Sequence, residues 1–267
     1  MNNLIHIPLW KFIALFLAFL SFGAALYFFF SSKMIQSTDH INFLSQEEIQ
    51  KVLNDNADHY YETFHEKDLK VRKIKNVEEY LAKISKSGCN ASEEKKQKII
   101  DCIGKINTKL HSKKKDSIDG VQLSKLLELP WNIGFVCDKS YENGLPHTRG
   151  NVIILNNKDV STRNIPEICR LLIHEKVHIY QKEYKEEFLA ELLKEYELVD
   201  EIDKATTNIR ANPDTDNFVY KRKSDSKVLK TTYRKNPTKF NDVQYPENDH
   251  SLEHPFEYVA YHVEKLY

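Results

Sequence analysis

Residues 164–181 read NIPEICRLLIHEKVHIYQ and contain the most informative local pattern in the chain. Asn164 can accept a hydrogen bond from the backbone at a helix start, and Glu167 can return one to the backbone of the capping residue. Pro166 suits the first turn of a helix. The sequence therefore predicts that a helix begins here and continues through the HEKVH segment.

This helix carries an HExxH motif. His174 and His178 are four residues apart, so both imidazoles project from one helix face within reach of a single ion. Glu175 lies beside them on the adjoining face. Zinc is bound by neutral imidazole nitrogens, and with three protein ligands it keeps one position open for water. We predict His174 and His178 as Zn²⁺ ligands and Glu175 as the catalytic general base.

The third ligand must come from elsewhere in the chain. Gln181 and Tyr184 stand where the metzincin extension has Gly and His, which leaves a carboxylate or a distant histidine. Glu191 and Glu195 share a helix face soon after the motif, although such glutamates are usually only solvated. They are the runner-up candidates.

The preferred third ligand is Glu257, near the end of the sequence. Pro255 indicates a helix start and puts Glu257 in its first turns. Ala260, one turn further, is small enough to let this helix lie close to the HExxH helix.

Further helices are predicted on the N-terminal side of the motif. Ser45 opens a capping box for a helix that runs to about His65. Apolar residues at helical spacing predict two more helices, at about 77–87 and 92–110. The lysine-rich segment 111–116 is the candidate boundary between this helical layer and the C-terminal part of the chain.

Two short strands are predicted before the motif. The runs 133–136 and 151–155 are rich in β-branched and aromatic residues, and Asn143-Gly144 between them is a tight-turn signal. With the helices they predict an α+β, mostly helical fold that includes a small sheet.

The N-terminal region contains an uncharged run, FIALFLAFLSFGAALYFFF, at 12–30. At 1.5 Å per residue it is long enough to cross a hydrocarbon core of about 30 Å. A signal peptide cleaved near Ala24 is the alternative, but its apolar core would be shorter. We expect a single-pass anchor in the lipid bilayer, with the bulk of the chain on the non-cytosolic side.

These patterns divide the chain into three regions. They are an N-terminal tail and anchor at 1–34, a helical layer at 35–116, and a zinc-binding domain at 117–267.

Composition limits the class of partner. The 267 residues include 39 basic and 39 acidic side chains, so the chain lacks the basic excess of proteins that bind nucleic acid. No nucleic-acid partner is expected. None of the four cysteines forms a CxxC pair, and they would allow two disulfides in three connectivities or stay as buried thiols. These cysteines are Cys89, Cys102, Cys137 and Cys169.

The motif with a distant glutamate on a second helix resembles the gluzincin group of zinc metallopeptidases, typified by thermolysin. Residues 131–267 are also similar to an uncharacterised HExxH family of zinc-dependent proteins. The similar blocks are LPHTRG at 145–150 with the following strand, HEKVHIYQ at 174–181, RANPD at 210–214 and HPFE at 254–257.

The resemblance implies His174, His178 and Glu257 as zinc ligands and Glu175 as the general base. It also implies that the strand before the zinc helix can pair with an extended peptide. The chain departs from thermolysin because it lacks the Asn-Glu motif about twenty residues after the zinc helix.

Three further residues are candidates for substrate binding. His147 precedes the strand expected to line a substrate groove. A histidine in a turn that bonds to the backbone is an equally good interpretation of this residue. Arg210 belongs to a polar cluster beside a proline, where ordinary turn chemistry is the alternative. Tyr220 is a candidate oxyanion partner, as is Tyr245.

The sequence thus predicts a membrane-anchored zinc-dependent metallopeptidase that cleaves peptide or protein substrates. The alternative is a non-catalytic membrane-associated structural or adaptor protein with a structural or degenerate zinc site. A closed site that recruits His250 or His254 as a fourth ligand would favour the alternative. Hydrolysis of a bond other than a peptide bond would use the same zinc chemistry.

Overall fold

The structure, a computed structural model, describes residues 40–137, 139, 141–203 and 207–267. The membrane anchor predicted at 12–30 lies outside the described residues. Within them, no helix combines the length and the apolar character that crossing a bilayer requires. Residues Ile41–Tyr267 form one compact unit.

The unit is α+β, as predicted. Its α-helices are α1 (Gln46–Asn54), α2 (Glu66–Arg72), α3 (Val77–Ile84), α4 (Glu93–His111), α5 (Leu123–Glu128), α6 (Asn157–Thr162), α7 (Ile165–Glu183), α8 (Lys185–Glu195) and α9 (Pro255–Glu264). Its strands are β1 (Ile41–Phe43), β2 (Gly88–Cys89), β3 (Ser117–Ile118), β4 (Val121–Gln122), β5 (Trp131–Val136), β6 (His147–Arg149), β7 (Val152–Asn156), β8 (Tyr196–Glu201), β9 (Phe218–Arg222), β10 (Val228–Leu229), β11 (Thr232–Tyr233) and β12 (Val243–Gln244).

The central sheet has the order β1-β5-β7-β6. The short strand β2 also pairs with β5, antiparallel and near its C-terminal end. β5 and β7 are parallel and almost fully buried, which explains their continuous apolar sequences. β6 runs antiparallel to β7 at the edge of the sheet. The sheet draws β1 and β2 from the chain before residues 111–116 and its other strands from the chain after them.

The predicted helices are confirmed, but two of them end earlier than predicted. The helix predicted at about 77–87 ends at Ile84, just before β2. The helix capped by Ser45 ends at Asn54, not near His65. Asp55 and Asp58 accept hydrogen bonds from backbone two residues ahead, which favours turns over a continuing helix. His65 then caps the separate helix α2.

Helix α7 lies in the main core between the sheet, α4 and α9. It has twelve buried residues, more than any other described helix. A disulfide between Cys102 and Cys169 joins α4 to α7, and a second, between Cys89 and Cys137, joins β2 to the end of β5. The cysteines therefore adopt one of the three pairings that the sequence allowed.

Candidate metal centre

Helix α7 begins as its sequence predicts. The Asn164 side chain accepts from the Glu167 backbone at 2.9 Å, and Glu167 Oε2 accepts from the Asn164 backbone at 3.0 Å. This capping box fixes the start of a helix that presents His174 and His178 on one face. His178 is 1% exposed and His174 8% exposed.

Helix α9 brings Glu257 to the same place. Pro255 lies in its first turn, and the His254 side chain caps it by accepting from the Phe256 backbone. Ala260 is fully buried, in keeping with a close approach of α9 to α7. Glu257 lies in the first turn and is 7% exposed.

The three side chains converge on one point. His174 Nε2 lies 3.1 Å from His178 Nε2 and 3.2 Å from Glu257 Oε2. The third edge of this triangle, from His178 Nε2 to Glu257 Oε2, measures 3.7 Å. Within the described residues this is the one group of histidine, cysteine and acidic side chains whose geometry suits a metal ion.

The triangle fits a tetrahedral metal ion. A tetrahedral ion with bonds of about 2.0 to 2.1 Å separates its ligand atoms by about 3.3 to 3.4 Å. The observed separations of 3.1, 3.2 and 3.7 Å bracket that value. Three donors leave one tetrahedral position for water or substrate, as in catalytic zinc sites.

A second layer of polar groups orients all three side chains. His174 Nδ1 lies 3.1 Å from Glu264 Oε2, and His178 Nδ1 lies 2.8 Å from Gln181 Oε1. Each Nδ1 can therefore donate its proton outward while Nε2 keeps its lone pair for a metal. Asn212 Nδ2 donates to Glu257 Oε1 at 2.8 Å, which leaves Oε2 facing the histidines.

Glu175 is buried beside this triangle and is 3% exposed. Its Oε2 has no hydrogen-bond partner among the described residues, an unusual state for a buried carboxylate oxygen. Burial raises the pKa of Glu175 to about 8. A metal ion with its water at the triangle would supply both a positive charge and a donor for this group.

The segment 210–214 connects the site to the edge of the sheet. Asp214 is buried and accepts hydrogen bonds from the backbone and the hydroxyl of Thr148 on β6. Lys182 of α7 donates to the Thr148 carbonyl at 3.2 Å and to Asp214 at 3.3 Å. Although burial opposes ionisation, the charge of Lys182 helps to hold the pKa of Asp214 below its usual value.

The structure contradicts one expectation. The strand predicted at 151–155 to pair with an extended peptide is β7, which is already paired with β5 on one side and with β6 on the other. The edge strand beside it is β6, and contacts also occupy the outer side of β6. Thr148 turns its backbone N–H and C=O to the outer edge of β6, and Asp214 and Lys182 already bind both groups. An extended peptide therefore cannot pair with β6 at this residue while those contacts persist.

A cavity of about 470 Å³ opens beside the triangle. Its lining includes His174, Glu175 and Glu257, so the metal-site residues face a space that a substrate can enter. The side chains in its lining with carboxylate or guanidinium groups are Arg72, Glu142, Arg163, Glu167, Arg170, Glu175, Arg210, Asp214, Glu253, Glu257 and Glu264.

The three predicted substrate-binding residues occupy different positions. His147 lines the cavity, but its ring nitrogens lie 2.9 Å from the Leu145 carbonyl and 3.0 Å from the Tyr141 hydroxyl. Arg210 lines it too, and forms an ion pair with Glu253.

Tyr220 does not belong to the cavity lining, and its hydroxyl donates to Asp216 at 2.6 Å. Tyr245 does line the cavity. The structure thus brings His147, Arg210 and Tyr245 to the metal-site cavity and leaves Tyr220 outside it.

The other candidate ligands lie outside the triangle. Glu191 and Glu195 are exposed on α8, and Glu191 pairs with Lys194. His254 caps α9 and faces Asp216 at 3.2 Å. His250 lines the cavity against the ring of Tyr261 but is not part of the converging group.

Sequence reasoning missed the groups that orient the ligands. Gln181 lies three residues after His178, so helical spacing alone could have identified it. Glu264 lies seven residues after Glu257, two turns along the same face of α9. Asn212 belongs to the polar cluster recognised in the sequence, but its bond to Glu257 depends on tertiary structure.

Comparison with protein-family models, with curated proteins and with solved structures finds no match. The function of the chain has to be inferred from the chemistry of this site.

Proposed function

We propose that this chain is a zinc-dependent metallopeptidase, a hydrolase of internal peptide bonds with a gluzincin-like site. One observation carries the proposal: the His174, His178 and Glu257 donor atoms form a triangle that fits a tetrahedral ion, next to Glu175, whose buried Oε2 has no hydrogen-bond partner in the described part of the chain. A triangle of ligands with an adjacent carboxylate at a cavity is the donor arrangement of a hydrolytic zinc centre.

Each side chain then has a defined role. His174, His178 and Glu257 would hold the zinc, which when bound supplies Lewis-acid activation of a water and of the scissile carbonyl. Glu175 accepts a proton from the attacking water and donates it to the amine nitrogen that leaves. Glu264, Gln181 and Asn212 keep the three ligand side chains oriented.

The proposal includes a membrane anchor at 12–30, with the unit Ile41–Tyr267 on the non-cytosolic side. The two disulfides support that side, because disulfides persist in oxidising compartments and are rare in the cytosol.

The alternative is a non-catalytic protein with a structural zinc. A structural site normally has four protein ligands. Within the described residues the group has three, and the neighbouring cavity gives access to it. These features favour hydrolysis over a structural role.

A Glu175→Gln substitution tests the catalytic role. We expect full-length protein carrying it to keep its zinc and to lose peptide hydrolysis by at least about a hundredfold, since general base catalysis contributes about 10²- to 10⁴-fold. Cleavage of a quenched fluorescent peptide library and elemental analysis provide the two measurements. A Glu175→Gln protein with wild-type cleavage rates would refute the mechanism.

A further inference from the structure

The metal-site cavity adjoins a second cavity of about 560 Å³. Six residues line both: Arg72, Glu142, Leu145, Arg210, Phe240 and Tyr245. These shared residues make the two cavities neighbours, and the second lies between α2, α3 and the segment 238–245.

The second cavity is lined by four lysines, Lys73, Lys83, Lys139 and Lys239, and we call it the lysine cleft. All four are exposed. None has a carboxylate within ion-pair distance among the described residues. Lys83 donates to the Arg72 carbonyl, which holds the ammonium group in place without neutralising it.

The other charged groups in the lysine cleft are already paired. Among the described residues, Glu142 is the one acidic side chain in its lining, and it binds Arg72 at 2.6 Å and Tyr80 at 2.6 Å. Arg210 binds Glu253. The lysines therefore leave uncompensated positive charge in this cavity, although the whole chain has a formal net charge of zero.

We propose that the lysine cleft binds an acidic segment of the peptide substrate, so that the enzyme selects substrates with Glu or Asp residues on one side of the cleaved bond. This inference rests on the proposed peptidase function. A cleft lined by one sign of charge concentrates the field and attracts segments of opposite sign. Asp214 and Lys182 already bind the backbone N–H and C=O of Thr148, so a substrate cannot pair with β6 at that residue. Contacts between the lysines and acidic side chains of the substrate would supply recognition instead.

The test measures binding separately from cleavage. Full-length zinc-loaded protein with Glu175→Gln is titrated into a labelled glutamate-rich peptide, and into the same peptide with every glutamate replaced by glutamine. We expect the glutamate peptide to bind about tenfold tighter or more, and the difference to shrink as salt is added.

Two matched double variants locate the binding site. Lys73→Glu with Lys239→Glu reverses two exposed lysines of the cleft and should weaken glutamate-peptide binding by about tenfold. Lys113→Glu with Lys114→Glu makes the same charge change on the exposed segment 111–116 and should change binding by less than about twofold. Equal affinity for the two peptides, or equal loss in both double variants, would overturn the proposal.

Two further outcomes are informative. A single-stranded oligonucleotide that displaces the glutamate peptide at matched charge would show a general polyanion site and would also overturn it. Retained peptide preference in a protein that binds no zinc would instead refute the proposed function while leaving the charge-selective cleft intact.

Discussion

Asn212 shows how much of the site depends on residues that are not ligands. Its Nδ2 donates to Glu257 Oε1, and its Oδ1 accepts from the Asp214 backbone at 2.9 Å. It therefore fixes the Glu257 carboxylate relative to a segment that is itself bound to β6. Partners of this kind set the orientation and basicity of metal ligands.

We predict that Asn212→Ala weakens zinc affinity by about 10- to 100-fold, because Glu257 loses the donor that orients it. Competition with a chromophoric chelator measures this affinity. The exposed Asn217→Ala serves as the control and should leave zinc affinity unchanged. Wild-type affinity in Asn212→Ala would mean that this bond has no part in the site.

At the scale of elements, a buried ion pair links α2 to the turn before β6. Arg72 binds Glu142 with two hydrogen bonds, of 3.0 and 2.6 Å, and the Tyr80 hydroxyl of α3 also donates to Glu142. Burial alone would raise the pKa of Glu142, but Arg72 and Tyr80 hold it below the usual value of 4.5.

We predict that Glu142→Gln destabilises the protein by about 2 to 3 kcal/mol near neutral pH, because the buried Arg72 loses its closest carboxylate and keeps only Asp68, at 3.5 Å. The folded protein has the lower pKa, so Glu142 contributes its stability above the unfolded pKa and loses it as the pH falls through the folded pKa. Denaturant unfolding measures the free energy of unfolding of both proteins. The difference between wild type and variant should become smaller below about pH 4. A difference independent of pH would contradict this account.

The elements differ in how far the sequence predicts them. Helix α7 is predictable because its capping box, apolar face and HExxH motif are all local. Glu257 is predictable because the chemistry demands a further ligand and Pro255 marks a helix start. Strands β1 and β2 have three and two residues, too few for a recognisable pattern, and their position depends on long-range pairing with β5.

At the scale of the whole unit, the Cys102–Cys169 disulfide connects α4 to the zinc-binding helix. It closes a loop with a sequence separation of 67 residues. A loop of this size restricts the unfolded chain, and such bonds contribute about 2 to 4 kcal/mol. The second disulfide, Cys89–Cys137, connects elements of the central sheet.

We predict that reductant lowers the stability of a Cys89→Ala/Cys137→Ala chain by about 2 to 4 kcal/mol, because only the Cys102–Cys169 bond is left to break. Denaturant unfolding with and without reductant measures the difference. A chain with all four cysteines changed to alanine is the control and should not respond to reductant. If the two-cysteine chain were equally unresponsive, the bond would not contribute to stability.

Sequence alone predicts the centre of the molecule better than its periphery. The two histidines of the HExxH motif, His174 and His178, are four residues apart on one helix, so helical geometry alone brings them together. The bonds from Glu264 and Asn212 join residues far apart in the chain and appear only in the folded structure. Tyr220 lies on β9, outside the cavity lining, and its hydroxyl is bound to Asp216, a pairing without a sequence pattern.

Zinc stoichiometry tests whether His174, His178 and Glu257 bind zinc. Elemental analysis of the full-length protein should give about one zinc per chain, with loss in His178→Ala and weaker binding in Glu257→Ala. Glu191→Ala, at an exposed glutamate of α8, is the control and should keep its zinc. A well-folded wild type that binds no zinc, or one whose zinc survives both His178→Ala and Glu257→Ala, would show that these residues do not form a zinc site.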